Sequence, residues 1–287
     1  MYLKNDRITV TVGGVTMRSH KLGGTKEFLL DPTAVTGWTD GTNVKRNTTG
    51  RMNAHGDFSE KAKMAARLIS FSGVAVASTI TGLQEMRDSL VGILVNGSYS
   101  TLKVQTQAST RYSTVGLEGS TSWVQQSDTS ALWKIDFYAP DPFIYGLERK
   151  ITVGSSASAN GGGLTYILTY PLNYNADPTL FQGGVVTNDG NAEAWPVFKV
   201  TGDYTEGFTL SDNDDHRITY TGMVTSSSPV IIDTAKGTAT QGGVDRSTSL
   251  TERDWFSVSP KEILRPSFEP RKAGSGWCDI IIKDTWI

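Results

Sequence analysis

"KIDFYAPDPFIYG", residues 134–146, decides how this chain divides. Trp133, Ile135 and Phe137 alternate with Lys134, Asp136 and Tyr138, the period-two pattern of a half-buried strand. Pro140 and Pro142 then end it, because neither can donate to a β-ladder and each pushes the residue before it out of helical geometry. A strand that runs into two prolines around an aspartate reads as the stiff exit from a module. Pro140, Asp141 and Pro142 are therefore the expected interdomain exit.

The flanking sequence changes character at the same place. Only Pro32 precedes residue 140, and the other nine prolines follow from there. Residues 1–150 carry 17 Lys/Arg against 13 Asp/Glu, and the remainder carries 10 against 16. "GSSASANGGG" (154–163) offers only small residues and reads as a linker. The expected organisation is a first domain over 1–150, a linker over 151–165 and a second domain over 166–287.

Each half reads as mainly β. In "RITVTVGGVTMRS" two alternating runs meet at Gly13-Gly14, a hairpin signal, since such turns need positive φ. Residues 31–66 show no sustained periodicity, and a long irregular stretch in a compact domain points to function or to ordering by a partner. One helix is expected over about residues 82–95: Leu83, Met86, Leu90 and Leu94 share a face, and Thr81 with Gln84 fits a capping box. Strands are expected in "STLKVQTQAST" and "SALWKIDFYA". The second half offers "LTYILTYPL", "PVFKVTG", "HRITYTG", "SPVIIDT", "GTATQGG", "DWFSVSP" and "CDIIIKDTWI". The fold class is thus a β-sandwich with one packed helix, followed by an antiparallel β-sandwich.

Composition narrows the function. Hydrophobic content of 38% with 20% charged residues is globular, and a net charge of −2 speaks against nucleic acid as the main partner. Cys278 is the only cysteine, so neither an intrachain disulfide nor a cysteine metal cluster can form. "MYLKNDRITV" has no apolar leader and no apolar run reaches membrane-spanning length, which reads as synthesis in a cytoplasm with no membrane partner. Without a secretory signal, the sequons at Asn47 and Asn96 read as unused.

No catalytic motif stands out: there is no phosphate loop, no G-x-S-x-G elbow and no His-Glu-x-x-His pair. His20, His55 and His216 lie far apart and are not expected to hold metal. "SDNDDHR" (211–217) lacks the glycine and distal glutamate of a calcium loop and reads as an acidic hairpin tip. The basic residues between Lys45 and Arg67 have only Phe58 interleaved, which suits a solvated or docking loop better than a nucleic-acid patch. No catalytic residue, cofactor or metal is assigned.

The order of features resembles the distal tail (Dit) proteins of long-tailed, non-contractile bacteriophages. In the first half the resemblance rests on Gly37-Trp38, His55-Gly56, "ARLISFSG" (66–73), the amphipathic helix and "APDP" (139–142). In the second it rests on "NDGNAEAWPVFKVTG" (188–202), "VIIDTAKGTATQGG" (230–243), "DWFSVSP" (254–260) and the closing strand. It implies a tail-tube-like first domain, a galectin-like second domain and a homo-hexameric ring at the tail tip. The implied partners are the major tail tube protein, the tail hub or tail-associated protein, the tape measure protein and receptor-binding proteins. Genomic DNA would pass through the lumen without specific binding, and assembly would take place in the bacterial host cytoplasm. The 31–66 segment would be an arm docking on an adjacent protomer. Trp38, Arg51, His55 and Arg67, in or beside it, are the expected subunit-interface residues, with alanine at Trp38 or Arg51 expected to impair ring closure while each protomer stays folded.

The second half lacks the His-x-Asn-x-Arg signature of sugar-binding galectins, so sugar binding does not follow from the resemblance. The alternative function is a carbohydrate-binding host-recognition module, which would need a platform at Trp277 or Trp195. A β-rich hydrolase of host wall would need converging carboxylates, and no constellation in the sequence supplies them.

Overall fold

The computed structural model describes residues 7–154 and 184–287. The chain divides into two compact units, one reaching to Gly146 and including Ile287, the other running from Leu147 to Trp286. The expected strand at 164–172, and the expected linker from residue 155 onward, lie outside the described residues. No helix among the described residues is long and apolar enough to cross a membrane.

The first unit begins with β1 (Thr9–Val12), β2 (Val15–Arg18) and β3 (Lys26–Leu30). Four short strands follow: β4 (Val44–Lys45), β5 (Thr48–Gly50), β6 (Asp57–Ser59) and β7 (Lys63–Met64). Then come β8 (Arg67–Ala77), helix α1 (Ile80–Val91), β9 (Ser100–Gln105), β10 (Thr110–Ser127) and β11 (Ser130–Ala139). The strand β12 (Ile144–Gly154) contains the division between the units and includes residues 151–154 of the expected linker.

The expected sandwich closes on itself. The ladder runs β11–β8–β3–β2–β1–β9–β10, and β10 also pairs with β11, so these seven strands leave no free edge between them. Alternation does the work: Val10, Val12, Met17, Phe71, Leu102, Val104, Val115, Trp133, Ile135 and Phe137 point inward and are buried. Gly13 and Gly14 take φ of 53° and 84° in the hairpin turn, as their sequence demands.

The helix starts earlier and ends sooner than its periodicity suggests. Its cap is Thr79, not Thr81, with Thr79 Oγ1 accepting from Gly82 N at 3.1 Å. Leu83, Met86 and Leu90 are buried as expected, but Gly92 closes the helix. Leu94 lies beyond it at φ 52°, and Ile93 is buried instead. The long β10 had no clear signal, because "TRYSTVGLEGSTSWVQQS" mixes Ser, Thr and Gly, and its pairing with β11 shifts register between Glu118 and Ser122.

The second unit adds β13 (Val186–Thr187), β14 (Val197–Asp203), β15 (Phe208–Ser211), β16 (Arg217–Tyr220), β17 (Val230–Asp233) and β18 (Thr238–Gln241). It continues with β19 (Val244–Asp245), β20 (Leu250–Arg253), β21 (Ile263–Leu264), β22 (Ser267–Pro270) and β23 (Ser275–Trp286). One sheet runs β12–β23–β14–β17–β18–β19 and a second runs β20–β16–β15–β22, while β13 pairs with β21. Their inner faces share one core around Phe198, Tyr204, Phe208, Tyr220, Phe268 and Ile280. Phe208 stacks on Tyr220 at 5.5 Å and meets Phe268 edge-on at 5.7 Å. This is the expected antiparallel sandwich.

"DWFSVSP" is not a strand. Phe256 and Val258 are buried, but the backbone of Val258 is taken by a single bridge to Ala194 and by the side chain of Asn188. That asparagine is fully buried and donates to Ala192 O and Val258 O while accepting from Gly190 N and Thr285 N. It pins the "NDGNAE" loop to the closing strand, so this part of the motif holds the fold together.

Candidate functional site: an exposed ribbon and its buried anchor

The irregular segment is a two-stranded ribbon. β4 pairs with β7 and β5 with β6, and the tip is closed by Arg51 N donating to Gly56 O at 3.2 Å. Nearly every residue from 41 to 64 is exposed on both faces of the ribbon. Met52 at the tip is 99% exposed and Phe58 is 65% exposed, with the Arg51 guanidinium 5.0 Å from the Phe58 ring centre. Val44 is exposed as well. The ribbon holds Lys45, Arg46, Arg51, Lys61 and Lys63 against only Asp57 and Glu60, so it is basic and carries apolar side chains outward. An isolated two-stranded ribbon is marginal in water.

The base of the ribbon is anchored by one buried cation. Arg67, only 2% exposed, donates from Nη1 to Gly37 O at 2.7 Å and to Asp40 O at 2.9 Å, and from Nε to Pro142 O at 2.8 Å. Its Nη2 finds no acceptor among the described residues. Burial pushes the guanidinium pKa below its ordinary value, and the charge of Asp40 opposes that. The Gly37 site fits no other residue: its φ is +74°, and a Cβ would sit 1.8 Å from Leu68 O. Gly37 N donates to Asp40 Oδ2 at 2.9 Å, tightening the loop that leads into the ribbon.

The expected residues therefore separate into two groups. Arg51 and His55 stand exposed on the ribbon. Trp38, 5% exposed, and Arg67 are buried within the chain itself, so alanine at Trp38 carries a core cost instead of acting only at a surface. Pro140, Asp141 and Pro142 form a turn between β11 and β12 that lies before the division at Gly146. Asp141 holds that turn by accepting from Phe143 N at 3.1 Å and from the Tyr145 hydroxyl at 2.6 Å. Burial, with the hydrogen bond to Asp141 adding to it, raises the Tyr145 pKa. Arg67 brings the Gly37–Asp40 loop and this turn together. The sequence held no signal for that, because its partners lie 30, 27 and 75 residues away.

"SDNDDHR" is the tip of the β15–β16 hairpin, as expected. Ligand-type atoms of Asp212, Asp214 and His216 lie within 4.8 Å of one another. The Asp212 carboxylate is already occupied, accepting from Asp214 N, His216 N and His216 Nδ1 at 2.7–2.9 Å. Those hydrogen bonds account for the cluster as a folded turn. Cys278 is fully buried, and burial raises its pKa, so its thiol is unreactive.

Comparison with known proteins places this architecture. Residues 189–267 match the family described as siphovirus-type tail component, C-terminal domain. Among solved structures, the chain is similar to the Dit (gp 19.1) protein of phage SPP1, described as a paradigm of the hub adsorption apparatus in phages infecting Gram-positive hosts. That match has 13% identity and a TM-score of 0.64, covering 98% of this chain and 99% of the other. Chains of the phage P2 baseplate in its activated conformation, with Ca and with Sr, match at 14% identity over 97% of each chain, with TM-scores of 0.47 and 0.46. No curated protein matches the chain by sequence.

Proposed function

We propose that this chain, whose residues 189–267 match the siphovirus-type tail component family and whose fold is similar to that of SPP1 Dit over its length, is the distal tail protein of a long-tailed, non-contractile bacteriophage. Its role is structural and not enzymatic. The family match over the second unit is the observation that carries this reading. The first unit forms a homo-hexameric ring that joins the major tail tube protein to the tail hub, near the tape measure protein. The ring serves as a platform for receptor-binding proteins. Its place in the virion is the tail tip, after assembly in the bacterial host cytoplasm.

What supports the ring is the ribbon. A closed ring needs heterologous contacts, in which one patch of a subunit meets a different patch of the next. The ribbon is such a patch: basic, two-sided and apolar at Met52 and Phe58. Covering either side chain contributes about 1.5–3 kcal/mol, and a ring repeats that gain at every joint. In this reading Arg51 and His55 contact the neighbouring protomer, while Arg67 and the Gly37–Trp38 loop hold the ribbon at the angle it needs. DNA passes through the lumen, whose lining is not rich in lysine and arginine, since phosphate contacts would retard transit. A strongly basic lumen in a ring structure would overturn that part.

Gold-labelled antibody against this chain, applied to intact virions, tests the placement. Label confined to the tail tip is expected. Label along the tube, on the capsid or nowhere on the particle would overturn the proposal.

A further inference from the structure

The sheet formed by β12, β23, β14 and β17 has an outer face whose chemistry the assembly role does not use. On β23 the side chains of Cys278, Ile280 and Ile282 enter the core, so Trp277, Asp279, Ile281 and Lys283 occupy the opposite face. Trp277 is 44% exposed there. Register places Thr201 of β14 directly beside Trp277 and Lys199 directly beside Asp279. Beyond the tryptophan, the next pair on this face is Ser275 with Asp203, both exposed. A large aromatic ring thus lies open within a border of hydroxyls and charges.

The ring is also held in place. Asp279 is only 4% exposed and accepts from Thr152 Oγ1 at 2.7 Å, from Lys150 Nζ at 2.9 Å and from Trp277 Nε1 at 3.4 Å. Burial works against its charge, but the hydrogen bonds from Thr152 and Lys150 outweigh it and keep its pKa below the usual carboxylate range. The carboxylate is therefore an orienting group, fixing the indole edge and the Lys150 ammonium. Lys150 is 59% exposed and spends one of three donors on Asp279, leaving two for a ligand.

This pattern suits one ligand chemistry. A pyranose presents an apolar C–H face and a rim of hydroxyls, matching one aromatic ring bordered by fixed donors and acceptors. A protein interface core is depleted in charge, unlike the surroundings of Trp277. Nucleic acid would meet the exposed Asp203 carboxylate beside its phosphates. We infer that Trp277, with Thr201, Lys199 and Lys150 as hydroxyl partners and Asp279 as the positioning residue, forms a subsite for a pyranose ring of a cell-surface saccharide. The inference goes beyond the assembly role and does not depend on ring formation. It selects Trp277 over Trp195, which precedes Pro196 outside the strands and is the natural control.

The test is saturation-transfer NMR on the full chain with glucose, galactose, N-acetylglucosamine and rhamnose as probes, each in the millimolar range. Transfer to at least one sugar is expected, lost in Trp277→Ala, reduced in Trp277→Phe and unchanged in Trp195→Ala. Asp279→Asn weakens it severalfold by releasing the indole and Lys150. The Phe variant keeps an aromatic ring in the sheet, so a folding failure of the Ala variant would not hide the result. No transfer to any of the four sugars, or transfer undiminished by the Phe and Ala changes, overturns the subsite.

Discussion

Replacing Arg67 separates an anchoring role from mere occupancy of space. Its three donated hydrogen bonds reach Gly37 O, Asp40 O and Pro142 O, and the side chain is sealed from water at 2% exposure. A bond from a charged donor is worth about 1.5–3 kcal/mol, but the three share one side chain, so their sum overstates the loss. Arg67→Ala leaves three buried carbonyl acceptors unpaired, at about 1–3 kcal/mol each, and because they share one side chain the expected loss is about 3–5 kcal/mol in all. For a unit of this size it lowers the melting temperature by about 10 °C. Arg67→Lys keeps the charge, but one ammonium cannot span three carbonyls, so it recovers less than half of the loss. Arg67→Met fills most of the volume and leaves the carbonyls unpaired, so it resembles alanine. Urea denaturation, with amide exchange at residues 37–40 and 140–145, reads both the size and the place of the effect. A Met variant within about 1 kcal/mol of the parent would refute the anchor, because ordinary surface changes stay inside that range.

Three further expectations follow from local geometry. Thr79→Ala loses about 1 kcal/mol of stability through its helix cap, whereas Thr81→Ala stays within about 0.5 kcal/mol; equal losses in urea denaturation would contradict the assignment of the cap. Gly37→Ala forces a Cβ toward Leu68 O at positive φ and costs about 3 kcal/mol or more, and a neutral result in the same assay would show that the loop is not held as described. The hydrogen bond and charge of Asp212 raise the pKa of His216. A raised folded-state pKa means the stabilisation is full below the unfolded pKa and is lost as pH rises through the folded value. NMR titration should give a midpoint above 6.5 that falls in Asp212→Asn, and a midpoint at or below 6.5 in the parent would contradict the pairing.

Local features were legible in the sequence, and long-range ones were not. The Gly13-Gly14 hairpin, the buried face of Leu83, Met86 and Leu90, and the acidic tip at 212–216 depend on neighbours a few residues away. The closure of the first unit was invisible because it depends on β10, whose Ser, Thr and Gly residues carry no hydrophobic alternation along its outer half. "DWFSVSP" alternates like a strand, yet its backbone partner is a loop fastened by Asn188, a tertiary override of a local pattern. The prolines of residues 140–142 do stop a strand, but the chain turns back to pair again, with Tyr145 opposite Tyr112, before the units divide. At the candidate site the ribbon announced itself by lacking periodicity. The roles of its neighbours did not, since nothing local distinguishes an exposed Arg51 from a buried Arg67.

The most direct test of the central claim is the native mass of the purified chain over a concentration series, alone and mixed with the matching tail tube protein, with negative-stain images of the largest species. Open-centred rings of six 31.1 kDa chains are expected, lost or weakened in an Arg51→Ala, Met52→Asp variant that remains folded. A strict monomer under both conditions, or rings that form equally well in that variant, would contradict it.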